Sequence, residues 1–366
     1  MNICNAQDSI KHYIFTSDVH FGLTKEKFRN NSNVSAKEVN NAMALAMNHL
    51  PEIVLPNDGL VGSNKKIKYV EGLIITGDIA NRQESGVQPA SQSWKDFQNV
   101  YINNLKLKKN SKLNTDLFLM AGNHDVSNTI GYHKEMQPLT DATSYVGIYN
   151  LMMKPSVPKT TETINYAKDK IHYSKDIDGV HFLFINLWPD STERAWMEND
   201  LKKIAATTPV LIFTHSNPDV EARFFVNPNG NHSINAEDHF ENLLSETFKD
   251  GKSVTDAAVI EQKAFAAFIK HHPNIKGYFH GHNAQQTEYY TWSGPDKDIQ
   301  LPCFRVDSPM KGKLSAKDET QLSFEFISID SAKKLLTVRE CLWNKTKSDN
   351  TEQPITWGIA TTISLK

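Results

Sequence analysis

Short apolar runs recur along the chain, and each stops directly before polar or glycine residues. Runs of this length and composition, rich in β-branched and aromatic residues, are typical of buried strands. We predict six such strands, at residues 13–17, 73–76, 117–121, 180–187, 209–214 and 276–280. Amphipathic helical stretches lie between several of them, and this alternation favours a layered α/β architecture over an all-helical one.

Two helices are predicted from their start signals and apolar stripes. Ser35 and Glu38 have the spacing of a capping box, and apolar residues follow at helical intervals. A second stripe begins at Trp94, with further members at Phe97, Tyr101 and Leu105. Both stripes indicate core packing.

The last part of the chain has a different pattern. Three β-rich segments between residues 299 and 343 are separated by turns, which predicts C-terminal strands that close a sheet. The chain shows no internal repeat and no long Pro- or Gly-rich linker, so we expect residues 1–366 to form one domain. Turn residues concentrate at about 126–178 and 216–250, and we expect loop insertions there that border a site.

Composition narrows the possible partners and compartments. The 366 residues carry a formal charge of −2, with 22% charged residues. We therefore expect no basic surface of the kind that binds nucleic acids. Three scattered cysteines argue against a disulfide framework and a cysteine-based zinc site. No apolar run approaches the roughly 18 residues of a membrane span.

The N-terminus leaves the compartment open. Cys4 and Ala6 are spaced like the end of a secretory cleavage region that lacks its apolar stretch. If the chain is the trimmed product of a longer precursor, a periplasmic or secreted protein is expected. Otherwise the protein is expected to be cytoplasmic.

Metal-binding residue types follow five of the predicted strands. Carboxyl ends of strands in α/β sheets are where ligands gather, so these side chains are expected to converge although they are far apart in sequence. They are Asp18 and His20, Asp78, Asn123 with His124 and Asp125, His215, and finally His280 and His282. Each motif alone also fits a turn or a surface residue, but five together indicate a site.

Oxygen and imidazole ligands without a thiolate favour a pair of divalent ions, with Mn, Fe or Zn as the expected metals. A carboxylate can bridge two ions, and Asp78 is the natural bridge. Two ions roughly 3.5–4 Å apart can hold a hydroxide nucleophile and clamp a phosphoryl oxygen. We therefore expect a metal-dependent hydrolase of phosphomonoesters or phosphodiesters.

The ordered motifs Asp-x-His, Gly-Asp, Gly-Asn-His-Asp, His and Gly-His resemble those of the calcineurin-like metallophosphoesterases, from about Asp18 to His282. The resemblance implies a four-layer α/β fold, in which helices flank a two-sheet β-sandwich and the C-terminal strands complete the second sheet. It implies a first metal on Asp18, His20 and Asp78, and a second on Asp78, Asn123, His215 and His282. It further implies that His124 stabilises the phosphoryl group or protonates the leaving oxygen, and that Asp125 orients its ring.

The chain departs from the family pattern at Ala284, which stands where the family has its last histidine. His280, Asn283 or water could replace that ligand, or the first ion could be held by fewer protein groups. On the expected rim of the cleft, Asn217 and Arg223 are the predicted substrate contacts.

The expected substrate is a phosphate-ester small molecule or a lipid headgroup. One alternative is a nuclease of the same fold, which the charge balance disfavours. Another is a binding module with a decayed metal site, an alternative kept open by Ala284. The oligomeric state stays open.

Overall fold

A computed structural model describes residues 10–80, 88–126, 141–165, 168–219, 248–249, 252–253, 257–283, 286–348 and 355–366. Its strands are β1 (Ile10–Thr16), β2 (Thr24–Phe28), β3 (Asn31–Ser35), β4 (Gly72–Ile75), β5 (Asp116–Leu119), β6 (Tyr173–Ile177), β7 (Val180–Phe184), β8 (Val210–Phe213), β9 (Phe248–Lys249), β10 (Lys252–Ser253), β11 (Ile275–His280), β12 (Glu288–Trp292), β13 (Leu301–Arg305), β14 (Ser323–Asp330), β15 (Leu335–Leu342) and β16 (Thr356–Ser364). Its α-helices are α1 (Ala36–Asn48), α2 (Ala90–Phe97), α3 (Asn123–Val126), α4 (Thr143–Met153), α5 (Ser191–Leu201) and α6 (Ala257–His271).

Two six-stranded mixed sheets form the framework. The first has the order β16-β15-β14-β1-β4-β5 and the second the order β12-β13-β11-β8-β7-β6. Strands β1, β4 and β5 are parallel in the first sheet, and β7, β8, β11 and β13 are parallel in the second. Within each sheet, the carboxyl ends of the parallel strands therefore lie along one edge, which is where α/β sheets place ligands.

Aromatic side chains pack the two sheets face to face. The ring of Phe15 in β1 lies 5.9 Å from that of Phe213 in β8 and 5.6 Å from that of Phe279 in β11, between centroids. Phe118 in β5 stacks on Phe184 in β7 at 5.1 Å. Edge-to-face and stacked contacts of this kind add to the gain from burying the rings. The α/β sandwich that the family resemblance implied is confirmed.

Helix α1 begins where the capping box predicted. The Ser35 side chain accepts a hydrogen bond from the Glu38 backbone, and the Glu38 carboxylate accepts one from the Ser35 backbone. The apolar stripe of α1, which includes Val39, Met43 and Met47, is fully buried.

The second predicted stripe covers α2 and a π-helical turn, Gln98–Asn103. Within this turn, Tyr101 donates its hydroxyl to Asn40 Oδ1 at 2.7 Å and so ties the stripe to α1. Leu105 lies beyond the helical residues.

The six predicted strands are confirmed as β1, β4, β5, β7, β8 and β11. All but the last end one to three residues earlier than predicted. Ile185 and Leu187 show why, because both are fully buried although they follow the end of β7. Burial continues into the loops, so an apolar pattern overestimates the strand.

The C-terminal strands, which were expected to complete one sheet, divide between the two sheets. Only β13 joins the second sheet, whereas β14 pairs with β1 and β15 pairs with β14 in the first. Strand β14 is antiparallel to β1, with Tyr13 opposite Ile327. A strand pattern shows the inward face of a segment but not its neighbour, and the sequence pattern also missed β16.

The segment 126–178 holds more regular structure than the predicted loop. Its described part includes α4 and the edge strand β6. Tyr145 of α4 is buried and donates its hydroxyl to the carbonyl of Asp169 at 2.7 Å. Of the predicted loop at 216–250, only residues 216–219 and 248–249 are described.

None of the helices within the described residues has both the length and the apolar composition needed to cross a membrane.

Candidate metal centre

The loops after β1 and β4 run side by side and bring their polar residues to one place. The Asp18 amide donates to the carbonyl of Gly77 at 3.0 Å, and the His20 amide donates to that of Asp78 at 2.9 Å. These bonds extend the β1–β4 pairing beyond the strands. They hold Asp18, His20 and Asp78 in a fixed relation.

Left-handed backbone geometry marks four residues of the predicted site. The φ angle is 54° at Asp18, 43° at His20, 51° at Asp78 and 62° at His282. Non-glycine residues seldom adopt this region, and such strain persists only where surrounding structure enforces it. It turns each side chain away from the direction that a continuing strand would give.

The first cluster of metal-binding side chains surrounds His20. Its Nε2 lies 3.7 Å from Asp18 Oδ1 and 3.6 Å from Asp78 Oδ2. His20 is fully buried, and neither ring nitrogen has a hydrogen-bond partner among the described residues. A buried imidazole in this condition is costly unless it binds something that the chain itself does not supply.

The second cluster joins residues from both sheets. His215 Nε2 lies 3.5 Å from Asp78 Oδ2 and 3.0 Å from Asn123 Oδ1. His282 Nδ1 lies 3.1 Å from Asn123 Oδ1 and 3.0 Å from His215 Nε2. The other nitrogen of His215 lies 2.8 Å from the Thr76 carbonyl, which fixes the ring and leaves Nε2 facing the cluster.

The two clusters share Asp78, and their donors fit divalent ions. Two ligand atoms that each lie about 2.1 Å from a tetrahedral ion are about 3.4 Å apart, close to the separations from Asp78 Oδ2 to His20 and His215. Carboxylate, amide and imidazole donors suit Mn²⁺, Fe²⁺ or Zn²⁺. The residues present therefore fit a pair of metal ions with a common carboxylate.

Burial sets the protonation of the imidazoles in the way that metal binding requires. Burial, followed by the charge of Lys311, lowers the pKa of His20 to about 3, and burial, followed by His215, lowers that of His282 to about 3. Neutral rings keep the lone pairs that a metal needs. Burial also raises the pKa of Asp78 to about 7, because a buried carboxylate near Asp18 is costly without a cation.

Asp125 holds the loops of the site together. Its Oδ2 accepts from the amides of Ile79 (3.2 Å) and Gly122 (2.9 Å), and its Oδ1 accepts from the Ala80 amide (3.0 Å) and the Ser144 hydroxyl (2.7 Å). These bonds connect the loops after β4 and β5 with α4. They support a role of Asp125 in positioning the backbone of these loops.

His124 lies beside the first cluster. Its backbone amide donates to Asp78 Oδ1 at 2.9 Å, and its Nε2 lies 3.8 Å from Asp78 Oδ2. The ammonium group of Lys311 lies 3.2 Å from the same Nε2. His124 is thus placed between the shared carboxylate and a cation.

Two glycines allow the loops to approach this closely. A Cβ atom on Gly122 would lie 2.2 Å from Asp78 Oδ1. A Cβ atom on Gly281 would lie 2.1 Å from Ser17 Oγ and 2.2 Å from Asp18 Oδ2. Any larger residue at either position would displace a carboxylate of the site.

His280 points away from both clusters. It is fully buried, with Nε2 2.9 Å from the Tyr290 hydroxyl and Nδ1 3.0 Å from the Gly281 carbonyl. This arrangement gives no support to the expectation that His280 replaces the missing ligand. Ala284 itself lies outside the described residues.

The predicted substrate contacts are only partly described. Asn217 lies two residues after His215, where its side chain donates to Asp219 Oδ1 at 2.6 Å and its carbonyl accepts from the Trp188 indole at 3.0 Å. Arg223 lies outside the described residues.

Sequence reasoning missed Lys311 and Ser308. Both follow β13, which runs parallel to β11 and ends at the same edge of the second sheet. The other residues were identified because ligands gather at the carboxyl ends of parallel strands. The same reasoning applies to the loop after β13, but the sequence does not show that β13 is a parallel neighbour of β11.

Comparisons with known proteins identify the family of the chain. The sequence model of the family described as calcineurin-like phosphoesterase matches residues 12–286, more than half of the chain. Among solved structures, the calcineurin-like phosphoesterase YfkN from Bacillus subtilis is 10% identical over 97% of this chain and 91% of that chain, with a TM-score of 0.35. A search of curated proteins found no match. A TM-score this low supports no argument about fold, so the family rests on the sequence match.

Proposed function

The chain belongs to the calcineurin-like phosphoesterases, and from this premise we propose that it hydrolyses phosphate esters with two divalent ions bound at the two clusters. Asp18, His20 and Asp78 would hold the first ion. The second would be held by Asp78, Asn123, His215 and His282. This set omits His280, because both of its ring nitrogens face other groups.

The observation that carries the proposal is the position of the Asp78 carboxylate. Its Oδ2 lies 3.5 Å from His215 Nε2 in one cluster and 3.6 Å from His20 Nε2 in the other. His20, with both ring nitrogens buried and without a hydrogen-bond partner among the described residues, adds independent support. A purely structural role for these groups would leave their burial unexplained.

Divalent ions bound at such a site supply Lewis acidity, which makes water more acidic and offsets charge on the phosphoryl oxygens. In the overall reaction, a water oxygen bonds to phosphorus while the ester P–O bond breaks. Water loses one proton to solvent, and the leaving oxygen gains one.

The chain's own groups have defined parts in this reaction. His124 is placed to give the proton to the leaving oxygen, or to donate a hydrogen bond to it, since it lies at the edge of the first cluster. Asp125 holds the loops that carry His124 and Asp78 in a fixed relative position, through hydrogen bonds to their backbone amides. We propose a small-molecule phosphate ester as substrate, in keeping with a formal charge of only −2.

The proposal is tested with Asp78→Asn, which keeps the size of the side chain and removes its charge. We expect the variant to lose bound metal and hydrolysis of p-nitrophenyl phosphate together, because Asp78 is the carboxylate proposed to serve both ions. Metal is measured by plasma mass spectrometry after loading with Mn²⁺ and desalting.

Asp116→Asn is the matched control, since Asp116 lies at the start of β5 and pairs with Lys109 at the surface. It should retain both properties. An Asp78→Asn chain that binds as much metal as the wild type would contradict the proposal.

A further inference from the structure

The loop of residues 306–318 carries Lys311 to the metal centre. It follows β13, and Ser308 near its start donates its hydroxyl to the Asp18 carbonyl at 2.8 Å. The Lys311 amide donates to that same hydroxyl oxygen at 2.9 Å. A single buried side chain therefore connects the backbone of Lys311 to that of a proposed metal ligand.

Two further contacts fix the path of this loop. Lys25 is almost fully buried and donates to the Pro309 carbonyl at 3.0 Å. Gly312 packs against Asp307 so closely that a Cβ atom would lie 2.0 Å from the carboxylate. The position of Lys311 is thus set by the fold and not by the flexibility of a surface side chain.

The ammonium group of Lys311 faces the site. It lies 3.2 Å from His124 Nε2, and Lys311 is half-buried. Its charge affects the pKa of residues in both clusters. After burial, it is the next cause of the low pKa of His20, and it also lowers the pKa of His282. The geometry therefore places a positive charge beside the site, where it can attract a bound anion.

We propose that Lys311 binds a terminal oxygen of the substrate phosphate and makes phosphomonoesters, rather than diesters, the preferred substrate class. The inference rests on the proposed phosphoesterase function. It adds to that function the chemical class of the ester.

Charge is the first reason. A phosphomonoester has its second pKa near 6 and carries close to two negative charges at pH 7 and above. A diester carries one. A fixed ammonium group in a partly buried site therefore attracts the monoester more strongly, in addition to the attraction from the ions.

Hydrogen bonding is the second reason. The terminal phosphate of a monoester has three non-bridging oxygens, so one can accept from Lys311 while others meet the ions. In a diester one of these oxygens carries a second organic group. The ammonium group would then face an ester oxygen, which is a poorer acceptor, or would be left without an acceptor.

The test compares kcat/KM for p-nitrophenyl phosphate and bis-p-nitrophenyl phosphate, using the full chain loaded with Mn²⁺. The wild type should prefer the monoester. Lys311→Gln should lower the monoester-to-diester ratio on the order of 10- to 100-fold, the range expected for a lost charge-assisted hydrogen bond. Lys311→Arg should keep the ratio within a few-fold of the wild type. Lys313→Gln removes the same charge from an exposed position of the same loop and should leave the ratio unchanged.

Binding of orthophosphate, measured by titration calorimetry on the metal-loaded chain, gives a second readout that does not depend on turnover. Lys311→Gln should weaken it by a similar factor, with the metal content unaltered. The inference is overturned if the wild type prefers the diester, or if Lys311→Gln leaves both the ratio and the phosphate affinity unchanged. A wild-type chain that binds no metal and hydrolyses neither ester would instead overturn the proposed function.

Discussion

His124 lies between Asp78 and the cation of Lys311. Replacing it with glutamine should lower kcat for p-nitrophenyl phosphate by about 10²- to 10⁴-fold, the usual contribution of a general acid. Metal content should not change, because the proposed ligands are other residues. Steady-state kinetics combined with metal analysis checks both points, and loss of metal from His124→Gln would show that its assigned role is wrong.

His280 and His282 show the limit of predicting side-chain direction from sequence spacing. Side chains two apart share a face only while a strand continues, and β11 ends at His280. At His282 the backbone is left-handed, with φ of 62°, so the two rings diverge. His282 was predicted as a metal ligand through the family motif. The direction of the His280 side chain relative to His282 depends on a backbone turn that the periodicity of the sequence does not show.

A substitution tests this divergence. His280→Ala should retain the wild-type number of metal ions per chain, because its ring nitrogens lie near Tyr290 and the Gly281 carbonyl. It should still lower stability by about 1–3 kcal/mol, since it removes a buried hydrogen-bonding group. Metal analysis together with urea unfolding measures both effects. If His280→Ala bound one ion fewer than the wild type, His280 would be a metal ligand after all.

At the level of elements, strand ends bring the site together and close loop packing keeps it in place. Gly281→Ala should place a methyl group against Ser17 and Asp18, destabilise the fold by about 1–3 kcal/mol and weaken the first metal. Gly277→Ala, in the strand β11 that ends just before Gly281, is the control, because its Cβ would meet only side-chain carbons at 3.2 Å or more. Competition with a chelator measures metal affinity. Equal affinities in the two variants would argue against the packing explanation.

The order of strands was less predictable than their existence. Six strands were recognised from apolar runs, but the division of β13, β14 and β15 between the two sheets was not. Pairing depends on contacts over hundreds of residues, such as Tyr13 opposite Ile327, and an apolar pattern carries no such information. Lys311 was missed for the same reason. Its loop can be placed at the site only when β13 is known to pair with β11.

For the whole molecule, a carboxyl group between the sheets makes stability depend on pH. Glu325 is fully buried, and neither of its carboxyl oxygens has a hydrogen-bond partner among the described residues. It lies directly opposite Glu340 in the β14–β15 ladder, and Tyr289 also lies within its electrostatic reach. Burial, followed by the charge of Glu340, raises the pKa of Glu325 well above its usual value.

A raised pKa in the folded state means that the folded chain binds more protons than the unfolded chain. Stability therefore falls as pH rises from the unfolded pKa towards the folded one. Glu325→Gln stays neutral, so it should be more stable than the wild type at pH 8, on the order of 1–3 kcal/mol, and the difference should vanish near pH 4. Urea unfolding at both pH values measures this. A variant less stable than the wild type at pH 8 would contradict it.

We propose that Asp78 is shared by two metal ions, and an anomalous difference map from crystals soaked in Mn²⁺ would show whether it is. We expect two peaks on either side of the Asp78 carboxylate, one beside Asp18 and His20 and the other beside Asn123, His215 and His282. A map without a peak within about 2.5 Å of the Asp78 oxygens would contradict it.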